Sequence, residues 1–142
     1  MFKFERLEIY QSALDYVDRC YTVAEGLPES ERYNLRSQLL RAATSVVLNI
    51  AEGSTGQSDA EQVRFLGMAL RSLLETVACG HLIQRRGYLK DASALTDMLD
   101  KAQTLARRIQ SMRRALGTTK GRVGEEFAEY GTDWEMTTDD GR

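Results

Sequence analysis

The 142-residue chain is poor in the residues that build most sites: two cysteines, one histidine, one proline and one tryptophan. Cys20 and Cys79 are far apart and each lies in a helical pattern, so a disulfide framework is not expected and a reducing compartment is. Both read as small core or interface residues. The single histidine, His81, cannot supply the paired Glu-x-x-His motifs of a di-metal bundle or a His-rich zinc site. It shares a helix face with Leu70, Leu74 and Val77, so a core or boundary role is expected for it. No uninterrupted apolar run approaches 18 residues, which argues against a membrane span. Charges at Lys3, Glu5, Arg6 and Glu8 leave no apolar stretch for a signal peptide, and a cytoplasmic protein is expected. Gly117, Gly121 and Gly124 lack the GxxxxGK[ST] spacing of a phosphate-cradling loop. Glu52 and Glu75 could be paired as acid and base, yet nothing brings a nucleophile or a metal to them. Catalytic residues, cofactor and metal are all expected to be none, and the chain is not expected to be an enzyme.

What the chain does contain is helical periodicity in four segments. In the first, Leu7, Tyr10, Leu14, Val17, Tyr21 and Ala24 recur at steps of three and four until Gly26, Leu27 and Pro28 stop the helix. The second runs from Glu31 or Arg32 to Gly53, before the break Ser54, Thr55 and Gly56. Ser58 is a candidate N-cap for the third, with Glu61 completing a capping box. That helix carries Val63, Leu66, Leu70, Leu73, Leu74 and Val77 to about Arg86, and Gly87 ends it. The fourth begins near Asp91 and carries Leu95, Leu99, Ala102, Leu105, Ile109, Met112 and Leu116. Short connections predict an all-α, antiparallel up-down-up-down four-helix bundle over residues 1–116. Residues 117–142 lose the period and form an acidic tail expected to be disordered, in which Phe127, Tyr130 and Trp134 could anchor a short helix on a partner.

Two apolar surfaces exceed what a bundle seam needs. On the second helix Leu35, Leu39, Leu40, Ala42, Ala43, Val46, Val47, Ile50 and Ala51 span about half the circumference. On the third, Phe65, Met68, Cys79 and Ile83 lie opposite the core face and predict an exposed patch. A homo-oligomer is therefore expected. The other edge of the second helix carries a polar ladder, Arg41, Ser45, Asn49 and Glu52, with Gln38 beside it. Ser, Thr and Asn are mediocre helix formers, so an internal or intersubunit hydrogen-bond network explains Thr44, Ser45 and Asn49 better than a solvated face does.

Charge is unevenly placed: residues 117–142 hold seven acidic and three basic residues, leaving the body near +2. Of 19 basic residues 15 are Arg, the residue suited to bidentate contact with phosphate, although a GC-rich genome yields Arg as readily.

The segments FKFERLEIYQSAL, LPESERYNL, SQLLRAATSVVLNIAEG and RFLGMALRSLLET together resemble the four-helix-bundle proteins encoded within intervening sequences of bacterial 23S rRNA genes, the S23-type family. That family is similar to the accessory variability protein of diversity-generating retroelements. Gln38, Arg41, Ala42, Ser45, Asn49, Glu52, Gly53, Ser72 and Glu75 stand at the positions of its signature. Two departures are Val47, where relatives often have Pro, and Tyr10, where they often have Trp. The lost proline should straighten the second helix and restore a backbone donor. The resemblance implies a small bundle in a homopentameric ring without established catalysis, a structural network of Gln38, Arg41, Ser45, Asn49, Glu52, Ser72 and Glu75, and binding of nucleic acid or of a partner such as a reverse transcriptase.

The leading expectation is a non-catalytic oligomer contacting RNA or DNA backbone through Arg85, Arg86 and Lys90 at one bundle end and Arg107, Arg108, Arg113 and Arg114 on the fourth helix. A net body charge near +2 is small for that role, and the acidic tail would compete for the same surface. The alternative is a protein-interaction scaffold using apolar surface and the tail aromatics.

Overall fold

The computed structural model describes residues 1–56 and 58–117, in which four helices, α1 (Glu8–Glu25), α2 (Leu35–Gly53), α3 (Asp59–Arg86) and α4 (Ser93–Gly117), follow one another. Short 3-10 turns precede α1 at Lys3–Arg6 and α2 at Glu29–Glu31. Each helix packs on its sequence neighbours and α4 closes back on α1, giving the antiparallel four-helix bundle. Among the described residues there is no strand.

Local signals set the ends. The Ser58 hydroxyl accepts from the Glu61 N–H at 3.1 Å, satisfying one of the unpaired donors of α3's first turn. The Glu61 carboxylate pairs with Arg64 at 3.1 Å. Gly87 ends α3 at φ +64°, a left-handed conformation that costs glycine nothing. Before α4, the Asp91 carboxylate accepts from the Ser93 N–H at 2.9 Å, and that hydrogen bond lowers the carboxyl's pKa. α2 starts later than periodicity predicted, because Glu31 closes the preceding turn and its carboxylate accepts from Asn34 at 3.0 Å.

The core corrects four expectations. On α1 the buried row is Ile9, Ala13, Tyr16, Cys20, Val23 and Ala24, not the Leu7–Tyr10–Leu14–Val17–Tyr21 seam. The two rows sit side by side on the helix, and the one with small Ala13 and Cys20 lets α1 approach the others while Tyr16 reaches the centre. Leu14 and Tyr21 remain exposed at 36% and 47%. On α3, Cys79 and Ile83 are buried and Phe65 is half-buried, so the expected patch is reduced to Met68. α3 lies between α2 and α4, which cover apolar groups on both its sides. His81, expected at the core boundary, is exposed. The wide arc of α2 is likewise absorbed within one bundle: Leu35, Leu39, Ala42, Ala43, Val46 and Ile50 are buried, and Leu40, Val47 and Ala51 half-buried, because α1 and α3 flank it.

One polar pair crosses this core. The Thr76 hydroxyl donates to the Leu73 carbonyl at 2.5 Å and therefore accepts from the Tyr16 hydroxyl at 2.6 Å. Tyr16 of α1 and Thr76 of α3 belong to non-consecutive helices, so this bond specifies which faces meet across the bundle. Burial raises the Tyr16 phenol and pushes the neighbouring Cys20 thiol up to about 12. Among the described residues α3 alone is long and apolar enough to cross a membrane by length and composition, with mean hydropathy 1.2 over 18 residues. Its apolar face is occupied by α2 and α4. The expectations for the tail after Gly117 lie outside the described residues.

Candidate functional site

The polar ladder of α2 faces outward along its junction with α3 and lines a shallow concavity with Leu40, Thr44 and Leu48. Steps of four bring Ser45 and Asn49 onto one stripe, and the Asn49 amide donates to the Ser45 carbonyl at 2.9 Å and to its hydroxyl at 3.0 Å. Ser45 in turn shares a 2.8 Å hydrogen bond with Ser72 of α3. One turn away, Arg41 reaches Gln38 on its own helix and Glu75 of α3 at 3.6 Å. Six of the seven expected network residues thus meet, clamping α2 to α3. Glu52 stands apart, exposed on the next turn. The clamp is partly solvated, so the Arg41–Glu75 pair contributes only about 0–1 kcal/mol, and register is its principal effect.

Gly53, the end of the signature, has a different task. A Cβ there would lie 2.6 Å from Phe65 Cβ, so glycine is what allows α2 and α3 to close together at their corner. Ser54 then donates to the Ile50 carbonyl at 3.0 Å and accepts from Gln62 at 3.1 Å. Glu75 is engaged with Arg41, and exposed Glu52 lies on the neighbouring helix. Among the described residues no group of three or more His, Cys, Asp or Glu side chains could hold a metal ion.

The cationic candidates divide. Arg85, Arg86 and Lys90 are exposed where α3 turns into α4, and Arg107, Arg108 and Arg114 are exposed on α4. Arg108 donates to Ser12 of α1 at 2.8 Å. Arg113 corrects the expectation. It is only 5% exposed, donates to Gln110 at 3.2 Å and occupies the space left by the missing side chain of Gly67. It is a packing residue, not a surface contact. Sequence reasoning also passed over Arg64 and Arg71, both exposed on α3. Their spacing of seven, matched by Arg107 and Arg114, was the available signal.

Residues 5–111, from the N-terminal turn into α4, match the model of the 23S rRNA-intervening sequence proteins. The chain belongs to that family. A crystal structure of a protein of unknown function from the S23 ribosomal protein family of Bacteroides thetaiotaomicron is similar in fold, with TM-score 0.67 and 23% sequence identity over 74% of this chain and 97% of that one. A search among curated proteins gave no match. In this member of the 23S rRNA-intervening sequence proteins, Val47 lies half-buried within the uninterrupted helix α2.

Proposed function

We propose that this chain forms a cytoplasmic, non-catalytic homo-oligomer that binds the backbone of RNA or DNA. The observation that supports the reading is the disposition of arginine. The four ion pairs among the described residues use Arg19, Arg32, Arg41 and Arg64, while Arg85, Arg86, Lys90, Arg107, Arg108 and Arg114 are exposed. Such groups recognise phosphate. Assembly would multiply a weak patch, and the surface that suits it is the α1–α2 side. There Leu14, Tyr21 and Leu48, the last 60% exposed, continue the half-buried Tyr10, Val17, Leu40 and Val47. A five-membered ring is the assembly that the resemblance to the S23-type proteins suggests.

Light scattering tests assembly, with Leu14→Glu plus Leu48→Glu expected to lower the mass; a wild-type monomer at micromolar concentration would overturn it. Anisotropy titrations with structured RNA and duplex DNA test binding, which should weaken steeply with salt. Absence of salt-sensitive affinity would reject the reading. A second reading, a scaffold for a protein such as a reverse transcriptase, draws on the same apolar side and on Phe127, Tyr130 and Trp134. Loss of a protein partner on removing residues 117–142, with nucleic acid irrelevant, would favour it.

A further inference from the structure

Arg64 and Arg71 lie seven residues apart on α3, and Arg107 and Arg114 seven apart on α4; all four are exposed. Seven residues are close to two helical turns, so each pair points the same way and is separated by about 10 Å along its helix. The register between the helices follows from two close approaches: Gly67 lies against Arg113, and Gly80 against Met98 and Leu99. In an antiparallel pair those contacts set Arg64 level with Arg114 and Arg71 level with Arg107. The backbone positions of the four arginines therefore mark the corners of a patch about 10 Å long, across helices whose axes are about 8–10 Å apart.

Two acids border the patch on α3: Glu61, which pairs with Arg64, and Glu75, one turn beyond Arg71 and engaged with Arg41. Arg64 is partnered by Glu61 at 3.1 Å and lies over the Phe65 ring at 4.7 Å, which orients its guanidinium. The next acid on the outer row of α4, Asp100, is a further heptad away from Arg107 toward the opposite end. α4 carries no aromatic residue, and among the described residues the exposed aromatics Phe2, Tyr21 and Tyr33 lie on the N-terminal segment, α1 and the α1–α2 connection. Binding of single strands draws on aromatic platforms for base stacking, which this face does not present. Four arginines carried on two packed helices at constant backbone spacing instead match phosphates held at constant spacing on the two strands of a duplex.

We infer that the outer face of α3 and α4, through Arg64, Arg71, Arg107 and Arg114, binds duplex nucleic acid by its phosphate backbone, without sequence preference. This rests on the nucleic-acid reading above and names its surface and the form of its ligand. The test uses the full chain, a short random-sequence DNA duplex and an oligothymidylate of equal length, titrated by anisotropy across a salt series. Four phosphate contacts predict a log–log salt slope near −4 for the duplex, and Arg71→Gln plus Arg107→Gln should remove about half of it. Over about 50 to 200 mM salt the ratio of wild-type to variant affinity should then change by roughly tenfold. Lys3→Gln plus Arg32→Gln, exposed on the N-terminal turn and the α1–α2 connection, should leave the slope unchanged. Melting curves and light scattering on the same variants check that fold and assembly persist. If the wild type shows no salt-sensitive binding, the nucleic-acid reading itself falls. If it binds but the Arg71/Arg107 variant keeps its slope, or the oligothymidylate binds as tightly as the duplex, this inference falls while that reading stands.

Discussion

Gly53→Ala sets two effects of comparable size against each other. Alanine is the better helix former by up to about 1 kcal/mol, and less at a helix end. Opposing this, the new Cβ would sit 2.6 Å from Phe65 Cβ and 3.5 Å from the Gln62 carbonyl oxygen, whereas carbon atoms pack best at about 3.5–4.0 Å. The overlap involves a Cβ fixed to the α3 backbone, so no rotamer change relieves it, and the helices must part by several tenths of an ångström or more. Overpacking of this kind costs about 1–3 kcal/mol, and separation would also strain the Ser54–Gln62 hydrogen bond. The net expectation is destabilisation by about 0.5–2 kcal/mol, or roughly 2–10 °C in Tm for a domain of this size. Circular dichroism followed through thermal and urea unfolding measures it, at fixed protein concentration because the proposed assembly would couple to stability. Phe65→Ala should not rescue the variant, since the offending Cβ remains. Stability equal to or above wild type in Gly53→Ala would refute the argument that glycine is required for the α2–α3 corner.

Three further outcomes follow from the same geometry. Thr76→Val should cost about 1–3 kcal/mol by depriving the buried Tyr16 hydroxyl of its acceptor, and Tyr16→Phe about 0.5–1.5; the double variant should be less harmful than their sum in urea melts, and strict additivity would show that the pair is not coupled. The Cys20 thiol, raised by burial from 9.0 to about 12, holds its proton in the folded chain at pH values where the unfolded chain releases it. Stability from this group is therefore intact below pH 9 and falls as pH rises from 9 to 12, by up to about 1.4 kcal/mol per unit; Cys20→Ala should flatten that slope, and an unchanged slope would contradict the burial. Gly67→Ala meets the end of the Arg113 side chain at 2.9 Å, a group that can shift, so its cost should be smaller than that of Gly53→Ala; the reverse order in paired melts would show that Arg113 is held more rigidly than α3's backbone at Phe65.

Periodicity in the chain was enough to place four helices and the caps at Ser58 and Gly87, because these depend on spacing of apolar residues and on local backbone chemistry. It also marked Arg41, Ser45, Asn49 and Glu52 as unusual for a helix surface, while Ser72 and Glu75 entered through the family resemblance. Whether they formed an internal network or a solvated edge required the position of α3, which turned the ladder into an inter-helix clamp. The misread seam of α1 has a similar origin. Two apolar rows of equal quality run along that helix, and only packing against α2, α3 and α4 selects the row with Ala13, Tyr16 and Cys20.

The sequence by itself therefore determined the helical class, the family and the richness in arginine. The tertiary structure decided which of those arginines are surface groups, burying Arg113 against Gly67 and aligning Arg64, Arg71, Arg107 and Arg114 across two helices. Spacing along one helix is a local quantity that a sequence carries directly. The register between two antiparallel helices is set by how their side chains interdigitate, and no segment read alone contains it.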